Sequence, residues 1–334
     1  MRKLASVQII DEILPIKKAD SLECAVVGGW KVVVRKGEYQ TGDEVIYCEV
    51  DSFIPHEVAP FLTKPGQEPK EYQGIKGQQL KTVKLRGQLS QGLILPLPED
   101  MQCYMVGDDC TEALGIVKWE RPLDTSLQGS ARGNFPSFIH KTDQERCQNL
   151  KHDINSHAIK GTKFEVTEKL DGSSMTAYVY DGVFGVCSRN IDLSEDETNA
   201  YWKVARGFDL ESKLKSLGGE YSFAIQGELI GPKIQGNPYK IDRHLFYVFD
   251  IFDITNQTYL TASERWRIVG ELGLCHVPII FGETEVVASV DELLKLSEGK
   301  SAINEKTERE GYVYKSIEDP NFSFKVISNK FLLK

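Results

Sequence analysis

The sequence predicts an α+β protein with two domains, a small N-terminal β-barrel followed by a larger domain built on antiparallel strands. A chain of 334 residues is long for a single hydrophobic core. Roughly its first 100 residues consist of short apolar segments that alternate with turn residues. Beyond residue 137, strand-like segments alternate with capped amphipathic helices.

The N-terminal domain is predicted from strand-sized segments at residues 25–29, 30–34, 44–50 and 81–86. About five strands in about 100 residues are typical of an OB-fold, which commonly presents one face to nucleic acid. We therefore predict an OB-fold nucleic-acid-binding domain over residues 1–128. A long loop is expected at residues 55–78, because four prolines and three glycines interrupt regular structure there.

Residues 129–136 contain two glycines, a serine and a proline and are predicted to link this domain to a second one at residues 137–334. Thr142 and Glu145 have the spacing of a capping box, so a helix is expected from there to about Ile154. Further capping boxes and apolar strands are predicted at Thr261 with Glu264, Ser289 with Glu292, and residues 164–169, 175–180, 221–229, 244–253, 310–315 and 322–327.

Composition limits the class of protein. A content of 41% hydrophobic and 27% charged residues is that of an ordinary globular chain, and no apolar run is long enough to span a membrane. The seven cysteines are scattered without a Cys-x-x-Cys pair. We expect an intracellular, cytoplasmic monomer that does not enter a membrane. Its net charge of −9 argues against non-specific polyanion binding by the whole surface, but not against a local basic groove.

One short motif supplies a candidate nucleophile. Lys169, Asp171 and Gly172 form a Lys-x-Asp-Gly run at a predicted strand-to-turn junction. Glu228 and Glu310 lie in apolar strands, where an acid is costly unless it is paired or binds a ligand. Together with Lys325, these groups would offer carboxylates to a divalent cation and ammonium groups to a polyphosphate.

Six segments in order then resemble the nucleotidyltransferase motifs of covalent polynucleotide ligases and capping enzymes. They are Lys169-Leu-Asp171-Gly172, Ser188-Arg189-Asn190, Gln226-Gly227-Glu228-Leu229, Tyr247-Val-Phe249-Asp250, Glu310-Gly311-Tyr-Val313-Tyr-Lys315 and Phe324-Lys325-Val-Ile-Ser-Asn-Lys330. With the barrel in front, the whole chain resembles ATP-dependent RNA ligases that carry an N-terminal OB domain. The resemblance implies an adenylyltransferase that joins a 3′-hydroxyl RNA end to a 5′-phosphate end, including ends at a nicked duplex.

The resemblance also implies roles for individual residues. Lys169 would form a lysyl-adenylate with ATP, and neighbouring cations would keep its amine neutral for attack. Mg²⁺ or Mn²⁺ would be held by Asp171, Glu228 and Glu310. Nucleotide contacts, several of them catalytic, would come from Glu168, Lys169, Leu170, Arg189, Glu228, Phe249, Glu310, Lys325 and Lys330.

One position departs from the family pattern. Related ligases often have a second lysine two residues after the one at Lys325, whereas this chain has Ile327 there. The next lysine is Lys330, so a second phosphate contact at Lys330 is an open question.

Several alternatives stay open from sequence alone. The chain is alternatively a DNA ligase, a GTP-dependent capping guanylyltransferase, or a nucleic-acid-binding scaffold with an inactive transferase fold. Phe249 is equally a core residue, and Lys141 and Arg146 are phosphate contacts or solvated side chains. Likewise Lys81, Lys84 and Arg86, near Trp30, form either a basic RNA-binding strip or a solvated strand face.

Overall fold

The computed structural model describes residues 3–120, 129–217 and 222–334. They form two compact units, one of residues 3–120 and one of residues 129–217 with 222–332. Residues 121–128, predicted to end the first domain, and Tyr221, predicted to begin a strand, lie outside the described residues.

The first unit consists almost entirely of short strands. They are β1 (Ala5–Ile9), β2 (Glu12–Pro15), β3 (Leu22–Val27), β4 (Trp30–Arg35), β5 (Glu44–Cys48), β6 (Ser52–Pro55), β7 (Lys70–Tyr72), β8 (Ile75–Gln79), β9 (Val83–Leu85), β10 (Gln88–Ser90), β11 (Leu93–Pro96) and β12 (Val117–Lys118), with 3₁₀ turns at Pro60–Leu62 and Glu99–Met101. Their sheets have the orders β1-β5-β11, β2-β3-β4, β12-β6-β8-β7 and β10-β9.

Strand β5 organises the hydrophobic interior of this unit. Ile46 and Cys48 lie in one buried cluster, while Val45 and Tyr47 lie in another. Because successive side chains of a strand point to opposite faces, β5 is buried on both sides. This explains why its sequence is a continuous apolar run and not an alternating one.

One prediction for the first unit is wrong. Residues 55–78 are not one long loop, because β7 and β8 form a hairpin in which Gly77 pairs with Pro55 of β6. A Cβ on Gly77 would lie 2.1 Å from the Ile54 carbonyl oxygen, so this glycine allows close strand pairing and does not break it. Trp30, which the sequence places near the possible basic strip, is 2% exposed and lies in the core.

The second unit combines two large sheets with six helices among the described residues. Its elements are β13 (Ala131–Asn134), β14 (Glu145–Arg146), α1 (Lys151–Lys160), β15 (Lys163–Lys169), β16 (Ser173–Tyr180), β17 (Val183–Cys187), β18 (Ile191–Leu193), α2 (Ala200–Gly207), α3 (Leu210–Leu217), β19 (Phe223–Ile230), β20 (Leu245–Asp253), β21 (Thr258–Tyr259), α4 (Ala262–Glu271), β22 (Cys275–His276), β23 (Ile279–Glu285), α5 (Val290–Ser297), β24 (Gly311–Ser316), β25 (Ser323–Ile327) and α6 (Asn329–Leu332), with a 3₁₀ turn at Cys147–Leu150.

The larger sheet has the order β13-β18-β17-β16-β19-β20-β21, with β22 alongside β20, and the smaller has the order β14-β25-β24-β15-β23. Only the β14–β25 and β20–β22 pairs are parallel among the described strands. Helices α2, α3 and α4 contribute buried residues to the core of the larger sheet, and α1 and α5 to that of the smaller one. The α+β prediction with antiparallel sheets is therefore confirmed.

The predicted linker is part of this second unit. Residues 131–134 form β13 and pair with β18, with Asn134 opposite Ile191. A segment that reads as a linker in the sequence is hydrogen-bonded here as an edge strand, which composition alone does not reveal.

The predicted capping box at Thr142 is also wrong. Glu145 and Arg146 form β14 beside β25, and α1 begins only at Lys151. Two helix caps predicted further along the chain are present. Thr261 and Glu264 form a complete capping box, and the Ser289 side chain accepts a hydrogen bond from the Glu292 N–H.

Candidate active site

Lys169 ends β15, where the chain turns toward β16. The β15–β24 register places Lys169 opposite Gly311, the residue after Glu310. The Lys169 Nζ atom lies 2.8 Å from Glu310 Oε1. Strand pairing thus brings together the first and fifth of the six sequence motifs.

Two glycines allow the strands to approach closely at this point. A Cβ on Gly172 would lie 2.5 Å from the Leu229 carbonyl oxygen and 2.9 Å from Glu228 Cγ. A Cβ on Gly311 would lie 2.0 Å from the Val326 carbonyl oxygen. Since real Cβ atoms do not come so near backbone oxygens, Gly172 and Gly311 fix the spacing of the acids around Lys169.

The charges nearest Lys169 are carboxylates. Burial alone would lower the pKa of Lys169, but Glu310, Glu228 and Asp171 raise it above the ordinary value. The expectation that neighbouring cations keep the amine neutral is therefore wrong for this arrangement. Lys169 is held as an ammonium ion within a group of three acids.

The pKa of Glu228 also reflects the crowding of charged groups around Lys169. Burial, with added repulsion from Glu310 and Asp171, raises the pKa of Glu228 to about 8, although Lys169 and the Gly172 N–H oppose the shift. A raised pKa means that this half-buried site does not favour a further negative charge on Glu228. A bound divalent cation would favour the ionised carboxylate.

The donor chemistry of these residues fits a hard divalent cation, which prefers oxygen ligands. Among the described residues, no group of three or more His, Cys, Asp or Glu side chains is already arranged as a metal cage. Mg²⁺ and Mn²⁺ keep several waters and take few protein ligands. Asp171, Glu228 and Glu310 remain the candidate ligands.

An apolar cluster lies beside the nucleophile. Leu170 is 3% exposed and packs with Ile230, Tyr239 and Val277, and half-buried Phe249 contacts the same cluster. Phe249 is therefore neither wholly core nor wholly surface. The cluster therefore provides, next to Lys169, an apolar surface of the kind on which a flat nucleotide base stacks.

Glu168 is almost fully buried next to Lys169. Its backbone N–H donates to the Pro278 carbonyl over 2.8 Å, and its Oε2 accepts from the Ala302 N–H over 2.7 Å. Burial raises the pKa of Glu168. The Glu168 N–H is thus already engaged, while its Oε1 atom has no hydrogen-bond partner among the residues that the structure describes.

Two further predicted site residues meet at a third side chain. Asp143 Oδ1 lies 3.4 Å from Lys325 Nζ and 3.5 Å from Arg189 Nη2. Arg189 lies in the turn between β17 and β18, where the neighbouring Asn190 Oδ1 accepts a hydrogen bond from Lys141 Nζ over 3.1 Å. The structure therefore joins the second and sixth motifs through an aspartate from the segment before β14.

Lys330 and Arg146 differ from their simplest predictions. Lys330 Nζ forms an ion pair with Glu298 Oε2 over 2.9 Å. Arg146 is buried and lies in β14 opposite Lys325, so it is not a solvated helix residue. Ile327, in β25, is also buried, and it pairs with Gly311 of β24.

A buried charge network joins the two sheets behind the apolar cluster. Lys315 Nζ donates to Asp250 Oδ1 over 2.6 Å and to the Phe249 carbonyl over 2.5 Å. Arg265, from α4, pairs with fully buried Glu165, which also accepts from Trp266 Nε1 over 2.7 Å. The network connects β15, β20, α4 and β24 and so holds the strand bearing Phe249 against the strand bearing Lys169.

Known proteins match both units. A family profile described as RNA ligase matches residues 162–327, and an OB-fold domain profile matches residues 4–97. The structure of Naegleria gruberi RNA ligase with pyrophosphate is 45% identical, covers 99% of this chain and 98% of that chain, and superposes with a TM-score of 0.91.

Point mutants of the same protein with ATP and Mn, and with AMP and Mn, match at 45% identity with TM-scores of 0.91 and 0.92, each covering 99% of this chain and 98% of that chain. The chain belongs to the RNA ligase family. A search of curated proteins gave no match. In the described part of this RNA ligase, no helix has the length and hydropathy to cross a membrane.

Sequence patterns did not identify every residue of the site. The Tyr239 hydroxyl accepts a hydrogen bond from the Asp171 N–H over 2.7 Å, and Ser173 Oγ is 2.6 Å from the Tyr201 hydroxyl. Asp143 joins Arg189 and Lys325. Ser173 directly follows the Lys-x-Asp-Gly run and Asp143 lies in the segment of residues 142–146, but neither position signals its partner in the sequence. Tyr201 and Tyr239 lie outside the six motifs.

Proposed function

We propose that this RNA ligase uses ATP and a divalent cation to join a 3′-hydroxyl RNA end to a 5′-phosphate end through an adenylate on Lys169. The observation that carries the proposal is the Lys169 amine, held 2.8 Å from Glu310 within a group of three acids and beside an apolar cluster. The Naegleria relatives, whose structures contain ATP with Mn, AMP with Mn, or pyrophosphate, support it.

In the first step, Lys169 Nζ attacks the α-phosphorus of ATP and pyrophosphate leaves. The amine must lose a proton before it can attack. Because the three acids raise the pKa of Lys169, the free enzyme stores the nucleophile in its protonated form. Glu310 Oε1, at hydrogen-bond distance, is the atom placed to receive that proton.

A bound Mg²⁺ or Mn²⁺ would stabilise the negative charge that builds on the phosphate oxygens. Asp171, Glu228 and Glu310 would hold this ion, partly through water. Their charge would then be offset by the cation, which removes the interaction that keeps Lys169 protonated.

The remaining residues bind and orient the nucleotide. Phe249 stacks on adenine over the Leu170 cluster, and the Glu168–Leu170 segment contacts the purine edge. Arg189 and Lys325 release Asp143 and contact phosphate or ribose oxygens of the nucleotide in its place. Lys330 would have to leave Glu298 to act as a second phosphate lysine.

In the later steps, AMP moves from Lys169 to the RNA 5′-phosphate, and the 3′-hydroxyl then displaces AMP to form the phosphodiester. We propose that the enzyme acts as a monomer and that its substrates include nicked duplexes.

Sealing assays test this function. Substrates with RNA or DNA on the 3′-hydroxyl side, either nicked or single-stranded, should be joined with ATP and Mg²⁺ or Mn²⁺, with preference for an RNA 3′ end. Equal sealing of DNA ends would indicate a DNA ligase, and labelling of the protein by GTP in place of ATP would indicate a capping enzyme. A protein that forms no nucleotide adduct would be an inactive scaffold.

A further inference from the structure

The β9–β10 hairpin stands apart from the other sheets of the first unit. Leu85 pairs with Gln88, so the turn between the strands consists of Arg86 and Gly87 alone. Their φ angles are +49° and +86°, as in a type I′ turn. All three residues of β9 are exposed, including Val83 and Leu85, each at 42%.

The base of this hairpin is fixed to β4. Ser90 Oγ accepts from the Val33 N–H over 3.0 Å, and the Gln91 N–H donates to the Lys31 carbonyl over 2.8 Å. Gln91 Nε2 also donates to Thr82 Oγ1 over 3.3 Å. The two strands therefore project from an anchored base and are not a loose loop.

The residue at the tip is unfavourable for the turn. Type I′ turns favour Asn, Asp or Gly at their first central position, because other L-residues are strained at positive φ. Here that position is Arg86, which is exposed. The arginine thus brings a positive charge to the tip of the hairpin without favouring the turn itself.

The hairpin is also where the charge of this acidic chain reverses. Residues 72–98 contain four Lys and Arg residues and no Asp or Glu, whereas the whole chain has a net charge of −9. Lys76 lies opposite Glu71 in the β7–β8 pair. Lys81, Lys84 and Arg86 are exposed, and in the described part of the chain no ion pair joins them to an acid.

We propose that the β9–β10 hairpin is the surface of the N-terminal unit that grips the phosphodiester backbone of the RNA substrate. The proposal rests on the proposed function. Lys81, Lys84 and Arg86 would contact successive phosphates.

RNA fits this surface because a polyanion matches uncompensated cations, and an acidic enzyme needs a local patch to overcome its overall repulsion of RNA. Contact with the backbone, not with base edges, is expected, because the major groove of A-form RNA is too narrow to be read by side chains.

The test compares two variants of the full-length enzyme with equal loss of charge. The first is Lys81→Ala/Lys84→Ala/Arg86→Gly, in which glycine suits the positive φ at position 86. The control is Lys17→Ala/Lys18→Gly/Lys36→Ala, from exposed positions of the same unit, where Lys18 also has a positive φ of 61°. Binding of fluorescent nicked RNA is measured by anisotropy at a series of KCl concentrations.

The hairpin variant should bind RNA about tenfold or more weakly, and the slope of log affinity against log salt should become shallower by about 2 to 3, as expected for three lost phosphate contacts. The control should keep the wild-type slope. A charge-preserving variant, Lys81→Arg/Lys84→Arg/Arg86→Lys, should retain binding, which separates lost charge from lost folding.

An unchanged affinity and slope in the hairpin variant would overturn the proposal, and so would equal losses in the hairpin and control variants. Self-adenylylation is measured in parallel without RNA. If the wild-type protein formed no adenylate, the proposed function would fail, whatever the RNA-binding result.

Discussion

At the scale of single residues, the electrostatics of Lys169 depend on three acids whose own charges repel one another. The lysine stabilises them, and they hold it protonated. Lys169 is therefore ready to lose its proton only after a bound cation has offset the negative charge of the acids. This interdependence gives the site a signature in the pH dependence of stability.

Replacing Glu228 should flatten that pH dependence. A carboxyl group whose pKa is raised to about 8 in the folded protein stabilises the fold at low pH, and this contribution is lost as the pH rises from about 4.5 to about 8. In EDTA, the free energy of unfolding of the wild type should therefore fall over this interval by on the order of 1–3 kcal/mol more than that of Glu228→Gln.

Urea denaturation at pH 5 and pH 8 measures this difference. Exposed Glu283→Gln serves as the control and should behave like the wild type. Equal pH dependence in Glu228→Gln and the wild type would mean that Glu228 does not hold a proton in the free enzyme.

The residue types of the site could be predicted from sequence, but their pairings could not. Lys169, Glu228 and Glu310 were identified because ordered motifs and acids in apolar strands are visible in a single chain. The partners of Lys169 were not, because they depend on the register that sets Lys169 opposite Gly311. For the same reason, the contact of Asp143 with both Arg189 and Lys325 had no sequence signal.

At the scale of elements, the fold around the site depends on a buried network between the two sheets. Burial alone would raise the pKa of Glu165, but Arg265 and Lys315 lower it. Burial, reinforced by Arg265, lowers the pKa of His276 to about 4, so this histidine is neutral and its Nε2 accepts from Arg265 Nε over 3.0 Å. Each charge in the network is thus tied to an opposite one.

Removing one partner of this network should be costly. Arg265→Met leaves the Glu165 carboxylate buried without its main counter-charge, and we expect a loss of about 3–5 kcal/mol in the free energy of unfolding. The double variant Glu165→Gln/Arg265→Met should recover much of that loss. Denaturation of the wild type, both single variants and the double variant gives the coupling energy.

The same helix offers a matched control. Arg267 and Glu271 form an exposed pair over 2.8 Å, so Arg267→Met should cost about 0.5 kcal/mol or less. If Arg265→Met were as mild as Arg267→Met, the buried network would not be what holds the two sheets together.

Element prediction succeeded where one pattern dominates. The strands carrying Glu228 and Phe249 are mainly apolar runs, those carrying Lys169 and Lys325 alternate polar and apolar residues, and the Thr261 capping box is a local signal. Prediction failed at β7–β8 and at β13, because glycine and proline there serve pairing geometry and edge position, which depend on distant strands. The helix predicted to begin at Thr142 does not form there, because parallel pairing of β14 with β25 outweighs a local capping preference.

At the scale of the whole molecule, the two units suggest separable tasks. The residues proposed for adenylate formation all lie in the second unit, and the β9–β10 hairpin lies in the first. Deleting residues 1–128 keeps β13 and the complete sheet of the second unit. We expect this truncated protein to retain self-adenylylation and to seal RNA weakly.

Gel assays of labelled protein and of labelled RNA distinguish the two activities. Equal sealing by the truncated and full-length proteins would show that the N-terminal unit is not needed to hold RNA. Length and segment spacing predict two domains, and the boundary at residues 129–136 stays a prediction. Composition does not reveal that residues 131–134 pair with β18.

The central claim is that Lys169 carries the nucleotide. Incubation with ATP labelled at the α-phosphate and Mg²⁺ or Mn²⁺, followed by digestion and mass mapping, should place AMP on the peptide that contains Lys169. Lys169→Ala should abolish the label, while Lys163→Ala, at an exposed ion pair at the other end of β15, should retain it. Undiminished label in Lys169→Ala, or AMP on a different residue, would contradict the account.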